Sequence, residues 1–511
     1  MNRACFVSWT LAWAVACIVA LSLGSAANSP LVAQALSPEL KAHADCGTAL
    51  TEADLVWLRA LQQDPAFQNQ THAASQRGGV QYVRVQAHLV GKENYTGYYK
   101  IQSLLESFCR LNTQYTETGF YFYLEYPIKT PEDDRWYSQT FSDGIGMILL
   151  NNEDGALNVY YVGSIESGTI AGYFSPGADG VVMANSASAP SGNTLAHEFG
   201  HFFSLPHTFF RWEGGEPPPV SLQERVDGSN CTTAGDGFCD TPPDYAHYRW
   251  SCPSVGPFVD PLGVSFLVTD SFYMSYAGNE CLRTFSPLQS AAMRANLNGQ
   301  RPELIGSIVP NFPNGYDSVV LGEPMNGALN VPPRGNRFTW SAVPGAVAYH
   351  VAIAYTILFT AIAEESVVTA TSFTALRLAP DRNFYWRVKP IFEGNTCEPY
   401  SAMQQFRTGE ENTPVSGIND LNLPDWTATL HPNPATAGAT MTLEYTAYVA
   451  GSRTWELRAM DGRIVSRGAL SDAAPGHSQS ILLKAPDQPG MYVLLVSGAD
   501  GRVWRRKVMV G

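Results

Sequence analysis

The stretch 194–207 contains the side-chain types that a catalytic metal site requires. His197 and His201 are four residues apart, so on a helix their imidazoles would lie one turn apart on the same face. Two neutral imidazoles on one turn can hold a divalent metal, with Glu198 beside them as a base. A proline then ends the helix, and His207 can turn back as a third nitrogen ligand. Three protein ligands leave one zinc position open for water, which is the catalytic rather than the structural pattern.

A cysteine ahead of this stretch has two interpretations. Cys46 precedes a short helical pattern at 53–61. A cysteine thiolate can ligate a catalytic metal and block its open position until the segment that carries it is removed. The alternative is a disulfide, most simply to Cys109.

A turn-rich loop at 227–242 follows the histidines and contains several side-chain oxygens, among them Asp236 and Thr241. Hard oxygen ligands at such spacing suit calcium. The loop lacks the full EF-hand pattern, so a plain solvated loop is the alternative.

The elements that would position these groups are a series of strands and helices. We predict a twisted mixed sheet backed by helices, that is, an α+β domain. The predicted elements are strand 80–90, helix 99–111, strand 119–126, strands 144–150 and 157–162, the histidine helix, and a last helix at 285–297.

Length and charge narrow the class of protein. A chain of 511 residues should form two to four domains, because single cores seldom grow past about 250–300 residues. With 45% hydrophobic and 15% charged residues the chain is globular. The net charge of −14 and the lack of a long basic run argue against a nucleic-acid partner.

The N-terminus predicts export. An apolar run at 11–23 follows Arg3 and is itself followed by small residues, so we predict a signal peptide at 1–35. The alternative is a membrane anchor, but the run is shorter than the roughly 20 apolar residues that a span needs. No later segment is long and apolar enough, so we expect a mature chain without a transmembrane segment, either free or attached to the cell surface.

The C-terminal third has the composition of β-structure. Two strand-like runs flank a proline-glycine turn after Arg337, and Trp340 and Trp386 on short strands suit a β-sandwich core at 316–409. An insert of the preceding domain is the alternative. We interpret 410–425 as a linker and 426–511 as a second β-sandwich, in which Asp461-Gly462 and Asp500-Gly501 are hairpin turns.

The motif at His197 to His207 resembles the extended zinc motif of the metzincins, and Met274 resembles their Met-turn. The sequence around residues 235–242 and 273–276 is similar to that of the pappalysin branch. The resemblance to this branch extends over roughly residues 45–300. It implies that His197, His201 and His207 bind zinc and that Glu198 is the general base. Met274 would form the floor of the site.

The same resemblance assigns further roles. Tyr276 would reach toward the metal or the tetrahedral intermediate, and Asp236 with Thr241 would match calcium positions. Cys46 would be the inhibitory cysteine of a pro-segment at 36–78, ahead of a catalytic domain at 79–308. Ser204 departs from the family pattern, because glycine normally occupies this left-handed turn and serine would cost about 1 kcal/mol there.

The cysteine count is compatible with this assignment. Of nine cysteines, Cys5 and Cys17 lie in the signal peptide and Cys46 in the pro-segment, which leaves six. Four of these cluster near the site and allow three pairings. We favour Cys231–Cys252 with Cys239–Cys281.

The two C-terminal segments resemble known modules. Residues 316–409 are similar to fibronectin type III modules. Residues 426–511 resemble the C-terminal sorting domain of type IX secretion, which implies a partner in the outer-membrane secretion machinery. An ordinary adhesive domain is the alternative.

Two functions remain from different classes. The first is a secreted zinc endopeptidase that acts on protein or peptide substrates through a zinc-activated water. The second is an adhesin or carbohydrate-binding surface protein whose metal site is structural or vestigial. Glu198 and Tyr276 favour the first, because a structural site needs neither.

Overall fold

The computed structural model describes residues 45–69, 79–213, 216–245, 256–313, 315, 318–411, 426–447, 453–459, 463–470, 478–498 and 503–511. All of them belong to one compact unit, 44–511. The predicted signal peptide, the turns at 461–462 and 500–501, Cys252 and nearly all of the predicted linker lie outside the described residues.

The first part of the described chain combines helices and strands. Its helices in chain order are α1 (Val56–Gln62), α2 (Pro65–Gln68), α3 (Ile101–Gln114), α4 (Asp134–Tyr137), α5 (Phe141–Asn151), α6 (Thr194–Phe202) and α7 (Pro287–Gly299). Its strands are β1 (Asp45–Cys46), β2 (Gln81–Leu89), β3 (Phe120–Leu124), β4 (Ser138–Gln139), β5 (Leu157–Val162), β6 (Ser164–Ile165), β7 (Ile170–Ser175), β8 (Gly180–Ala184), β9 (Phe258–Val259) and β10 (Ser265–Phe266).

The main sheet of this part is mixed, as predicted. Its strand order is β3-β2-β5-β8-β7-β6-β4. The pairs β3-β2, β2-β5 and β5-β8 are parallel, whereas β7 is antiparallel to β8. Strand β1 pairs in parallel with β7, so that Cys46 lies opposite Gly172. The segment around Cys46 is therefore added to the sheet next to the histidine helix.

The prediction of a strand at 144–150 is wrong, because these residues lie in α5. Thr140 and Asp143 form a capping box at the start of this helix. The buried positions are Gly144, Met147 and Ile148, which is a helical spacing. A short apolar run does not distinguish a strand from a helix by its hydrophobicity alone, and here the capping residues decide.

The second part, residues 328–408, consists of strands. They are β11 (Ala328–Val331), β12 (Arg334–Thr339), β13 (Ala346–Ala354), β14 (Ile362–Val368), β15 (Ser372–Arg377), β16 (Asn383–Phe392) and β17 (Gln404–Thr408). A five-stranded sheet, β11-β17-β16-β13-β14, and the pair β12-β15 share one apolar core. Both Trp340 and Trp386 are buried in it. We call this part the middle β region.

The last part, residues 426–511, also consists of strands. They are β18 (Trp426–His431), β19 (Thr440–Ala447), β20 (Arg453–Ala459), β21 (Ile464–Leu470), β22 (Ser478–Lys484), β23 (Gly490–Gly498) and β24 (Val503–Val510). Sheets β18-β19-β22 and β21-β20-β23-β24 contribute to one buried cluster that includes Leu443 and Leu494.

Among the described residues of the whole chain, no helix has the length and apolarity to cross a membrane.

The disulfide pairings differ from those predicted. Cys231 pairs with Cys239, because the loop between them turns back and leaves their Cα atoms 5.0 Å apart. The predicted pairs Cys231–Cys252 and Cys239–Cys281 are therefore wrong, although Cys281 is also disulfide-bonded. Cys109 pairs with Cys397, which lies 288 residues further along the chain. The alternative bond between Cys46 and Cys109 is excluded, because Cys46 is a free thiol.

Candidate metal centre

The histidine helix α6 is buried from Leu195 to Phe202. It packs against strands β7 and β8 on one side and over Met274 on the other. Gly200 is required at this contact, because a Cβ atom there would overlap the sulfur of Met274. The structure therefore places Met274 beneath the helix that carries His197 and His201.

The three histidines that the sequence singled out converge on one point. Nε2 of His201 lies 3.0 Å from Nε2 of His197 and 3.1 Å from Nε2 of His207, and the third separation is 3.3 Å. Zinc–nitrogen bonds of about 2.0–2.1 Å in a tetrahedral site place ligand nitrogens about 3.3 Å apart. The spacing of the three nitrogens therefore fits one tetrahedral cation.

The opposite ring nitrogens determine which tautomer each histidine adopts. Nδ1 of His197 faces the carbonyl of Tyr273 at 2.7 Å, and Nδ1 of His201 faces the carbonyl of Leu205 at 2.7 Å. Nδ1 of His207 lies 3.3 Å from a carboxylate oxygen of Glu213. Each Nδ1 thus has an acceptor for its proton, which leaves three Nε2 lone pairs facing one another. Three converging lone pairs repel one another unless a cation lies between them, so these residues fit a metal ion.

The turn between the second and third histidines accommodates the serine that departs from the family pattern. Ser204 has φ 72°, which is the left-handed conformation that glycine normally provides. Its hydroxyl accepts a hydrogen bond from the side-chain amide of Asn296 on α7, over 2.8 Å. Ser204 therefore occupies the turn, and His207 returns to the site.

Glu198 is fully buried next to the histidines. Its Oε2 accepts hydrogen bonds from the hydroxyl of Thr48 at 3.0 Å and from the thiol of Cys46 at 3.6 Å. Its Oε1 is buried without a hydrogen-bond partner. Burial raises the pKa of Glu198 to about 7, although the bonds from Cys46 and Thr48 lower it. A carboxylate that exchanges a proton near neutral pH suits a general base.

Cys46 belongs to the same cluster as the three histidines. Its sulfur and one ring nitrogen of each histidine all lie within 4.8 Å of one another. Burial, followed by the charge of Glu198, raises the pKa of the thiol well above its usual range. A cation at the three nitrogens would act in the opposite direction and favour the thiolate.

Tyr276 lies over the same site. Its hydroxyl accepts a hydrogen bond from the backbone N–H of Cys46 at 3.1 Å and donates one to the carbonyl of Cys46 at 3.2 Å. Its ring centre is 5.8 Å from that of His197 and 5.1 Å from that of His207. The hydroxyl of Tyr276 is thus directed to the backbone of Cys46.

A cavity of about 150 Å³ adjoins the histidines. His201, His207 and Phe210 line one side of it, and residues 48–50 line another. The segment after Cys46 therefore borders open space beside the candidate metal site.

The predicted calcium residues are brought together in the loop after the histidines. The hydroxyl of Thr241 lies 2.9 and 3.0 Å from the two carboxylate oxygens of Asp236. Glu224 is also buried nearby, and one of its oxygens has no hydrogen-bond partner. Burial, followed by repulsion from Asp236 and Asp244, raises the pKa of Glu224 to about 10. Burial also raises the pKa of Asp236 to about 7.

Several groups at the site were not found from the sequence. The carbonyls of Tyr273 and Leu205 orient two histidines, and no side-chain pattern marks a backbone acceptor. Glu213 faces His207 only because the chain turns back after the helix. Thr48 was in the stretch after Cys46, but its contact with Glu198 spans 150 residues and depends on the pairing of β1 with β7.

Comparisons with known proteins agree with this geometry. Residues 163–298 match the peptidase family M43 model, described as pregnancy-associated plasma protein-A. The chain is 26% identical over 280 residues to an extracellular metalloprotease of Arthroderma gypseum, covering 51% of this chain and 86% of the relative. It is 25% identical over 301 residues to an extracellular metalloprotease of Pyricularia oryzae, covering 54% and 95%. Among solved structures, mirolysin in complex with a compound shares 20% identity over 44% of this chain and 96% of that chain, with a TM-score of 0.33.

The family match includes the whole histidine stretch and the Met274 region. Together with the two relatives, it identifies this chain as a metalloprotease, and this class of enzyme implies zinc and peptide substrates.

Proposed function

We propose that this protein is a secreted zinc endopeptidase in which His197, His201 and His207 bind the metal and Glu198 is the general base. The observation that carries the proposal is the convergence of three Nε2 atoms within 3.0–3.3 Å of one another. Each of these rings has its Nδ1 directed to an acceptor, and a buried carboxylate lies beside them. A structural site would need neither that carboxylate nor the nearby Tyr276 hydroxyl.

The roles of the chain's own residues follow from their positions. His197, His201 and His207 would hold zinc, which would act as a Lewis acid to polarise the scissile carbonyl and to lower the pKa of water. Glu198 removes a proton from the attacking water at one of its carboxylate oxygens and returns it to the leaving amine. The Tyr276 hydroxyl donates a hydrogen bond to the oxyanion that develops on the carbonyl oxygen. Met274 supports α6 from below and keeps the two helical histidines in place.

In the full chain, residues 36–78 act as an inhibitory pro-segment. Cys46 supplies a sulfur beside the three nitrogens, and its backbone engages Tyr276. Thr48 occupies an oxygen of Glu198. One short segment therefore engages the candidate metal site, Tyr276 and Glu198. Removal of this segment would release all three for catalysis.

Calcium is proposed as a second, structural ion beside Asp236 and Thr241. Asp236 and Glu224 are two buried acidic groups whose pKa values are raised, which means that burial disfavours their charges more than the surrounding groups compensate them. A hard cation would provide it.

The remaining regions suggest how the enzyme is exported and assembled. We assign the catalytic domain to 79–308, a fibronectin type III-like β-sandwich to 316–409, a linker to 410–425, and a β-sandwich sorting domain to 426–511. The extracellular relatives support a secreted protein. Export by the signal peptide, followed by recognition of the sorting domain by outer-membrane secretion machinery, would place the enzyme outside the cell or on its surface.

The proposal is tested with purified mature protein and its Glu198→Gln variant. We expect the variant to bind one zinc ion but to lose peptide cleavage by about 10²–10⁴-fold, the contribution typical of a general base. Chelation should abolish cleavage by the parent, and zinc should restore it. Cleavage by the zinc-loaded variant at the parental rate would refute the role of Glu198. Cleavage that survives complete metal removal would refute the metallopeptidase mechanism, whereas intact folding and surface binding without any cleavage would favour the adhesin.

A further inference from the structure

Helix α3 connects the middle β region to the helix that carries two of the histidines. It spans 14 residues, or about 21 Å. One end contacts the middle β region, and the other contacts the start of α6.

The N-terminus of α3 is capped by an acid from another part of the chain. Its own N-cap residue, Lys100, makes no side-chain capping hydrogen bond. The backbone N–H groups of Ile101 and Gln102 instead donate to the two carboxylate oxygens of Glu365 on β14, at 2.8 and 2.9 Å. A ring nitrogen of the buried His350 lies 3.0 Å from Glu365. A carboxylate at a helix N-terminus is stabilising, because it satisfies free N–H groups and faces the positive end of the helix dipole.

The middle of α3 is attached covalently to the same region. Cys109 on α3 forms a disulfide with Cys397, which follows β16. Ala348 and Ile391 of the middle β region are part of the same buried apolar cluster as Leu104 and Leu111 of α3. The contact therefore combines a cap, a disulfide and shared apolar packing.

The C-terminal half of α3 holds the first turn of α6. Arg110 and Gln114 both donate to the side-chain oxygen of Asn193, at 3.0 and 2.6 Å. Asn193 is the N-cap residue of α6, and its carbonyl accepts the first helical hydrogen bond, from His197, at 3.0 Å. The hydroxyl of Tyr115, directly after α3, donates to the carbonyl of Ala196 at 2.9 Å.

Asn193 makes no side-chain capping bond of its own. It is held by these contacts from α3 and by two hydrogen bonds to Asn279, at 2.8 and 3.3 Å. A metal site requires its ligands to be held within about 0.5 Å of their productive positions. A shift of α3 would move Asn193 and with it the first ligand, His197.

We propose that the middle β region positions the metal-binding helix through α3, with Glu365 and the Cys109–Cys397 disulfide as the positioning groups. The middle β region is then a fixed part of the catalytic unit and not a spacer. The inference rests on the proposed function only in naming α6 as the metal-binding helix.

The test compares full-length variants by the rate at which bound zinc is lost to a chelator. Glu365→Ala removes the cap, and Cys109→Ser with Cys397→Ser removes the disulfide. Glu364→Ala is the matched control, because Glu364 lies on the same strand but accepts a hydrogen bond from Leu376 inside the middle β region. Mild reduction of the folded parent provides a second way to open the disulfide if the double variant does not fold.

We expect the two positioning changes to accelerate zinc loss by about three- to tenfold, less than the roughly 10–100-fold effect of groups that contact a ligand directly. Hydrogen exchange at residues 197–200 should accelerate in parallel, and after removal of the pro-segment kcat should fall with little change in KM. The control should leave zinc loss unchanged. If zinc loss and exchange in α6 match the control in both variants and in the reduced parent, the proposal is wrong. Because zinc loss does not require peptidase activity, this outcome is distinct from failure of the proposed function.

Discussion

The hydroxyl of Thr48 lies 3.0 Å from the carboxylate of Glu198 and donates a hydrogen bond to it, while accepting one from the backbone N–H of Phe174 at 2.8 Å. Thr48 thus connects strand β7, which contains Phe174, to Glu198, the residue that we propose as the general base. Cys46, two residues earlier, lies among the three histidines. The segment therefore engages the base and the candidate metal site at the same time.

This arrangement predicts that inhibition of the full-length enzyme depends on both Cys46 and Thr48. Cys46→Ala should give premature self-cleavage during expression, because the sulfur no longer competes with water for the fourth position of the proposed zinc ion. Thr48→Val should give a smaller effect of the same sign, because one hydrogen bond to a charged group contributes about 1.5–3 kcal/mol. The measurement is the fraction of cleaved chain and the peptidase rate before maturation.

Thr51→Val serves as the control, since the Thr51 hydroxyl bonds only to Asp54 within the same exposed turn in the described contacts. Equal latency in the parent and in Cys46→Ala would contradict the inhibitory role of the thiol.

Removal of calcium is predicted to lower thermal stability. Calcium at Asp236 and Thr241 should raise Tm, because it compensates the buried acidic charges, and Asp236→Ala should abolish this gain. Tm is measured with calcium and after its removal. Asp227→Ala in the exposed part of the same loop should retain the response. A parent protein that does not respond to calcium would rule out the site.

Ser204 offers a test of the turn that returns His207 to the site. Ser204→Ala should destabilise the fold by about 1 kcal/mol, because the left-handed backbone remains while the hydrogen bond from Asn296 is lost. Ser204→Gly should be nearly neutral, since relief of backbone strain offsets the lost bond. Denaturant unfolding measures both. An alanine variant as stable as the parent would show that the hydrogen bond contributes nothing.

Acid sensitivity is predicted from a buried histidine outside the metal site. Burial lowers the pKa of His88 to about 4, below the value of about 6.5 expected in the unfolded chain. The neutral ring is therefore favoured in the folded state. Its contribution to stability is complete above about pH 6.5 and is lost as the pH falls toward 4, by up to about 3 kcal/mol.

The measurement is denaturant unfolding of the metal-free protein between pH 7 and pH 4. His88→Gln should flatten the acid limb, whereas His431→Gln, at an exposed histidine, should not. Equal slopes for the parent and His88→Gln would contradict the prediction.

The short-range features of this protein were predictable from its sequence. The helix with His197, Glu198 and His201 follows from local spacing, and strands at 81–89 and 157–162 follow from apolar patterns. Residues 144–150 were assigned to the wrong type of element, because seven apolar or small residues satisfy both a strand and a buried helix. There the capping pair outside the run decided the outcome.

Contacts between distant residues were decided by the tertiary structure alone. The partner of Cys109 lies 288 residues away, and the acid that caps α3 lies 264 residues from Ile101. Cysteine counts and residue types restrict such pairings but do not select among them, because selection depends on which surfaces pack together. The sequence by itself determined which residues could hold a metal and act as a base. Only the fold determined which groups orient them, since backbone carbonyls and distant carboxylates have no sequence pattern that points to their partners.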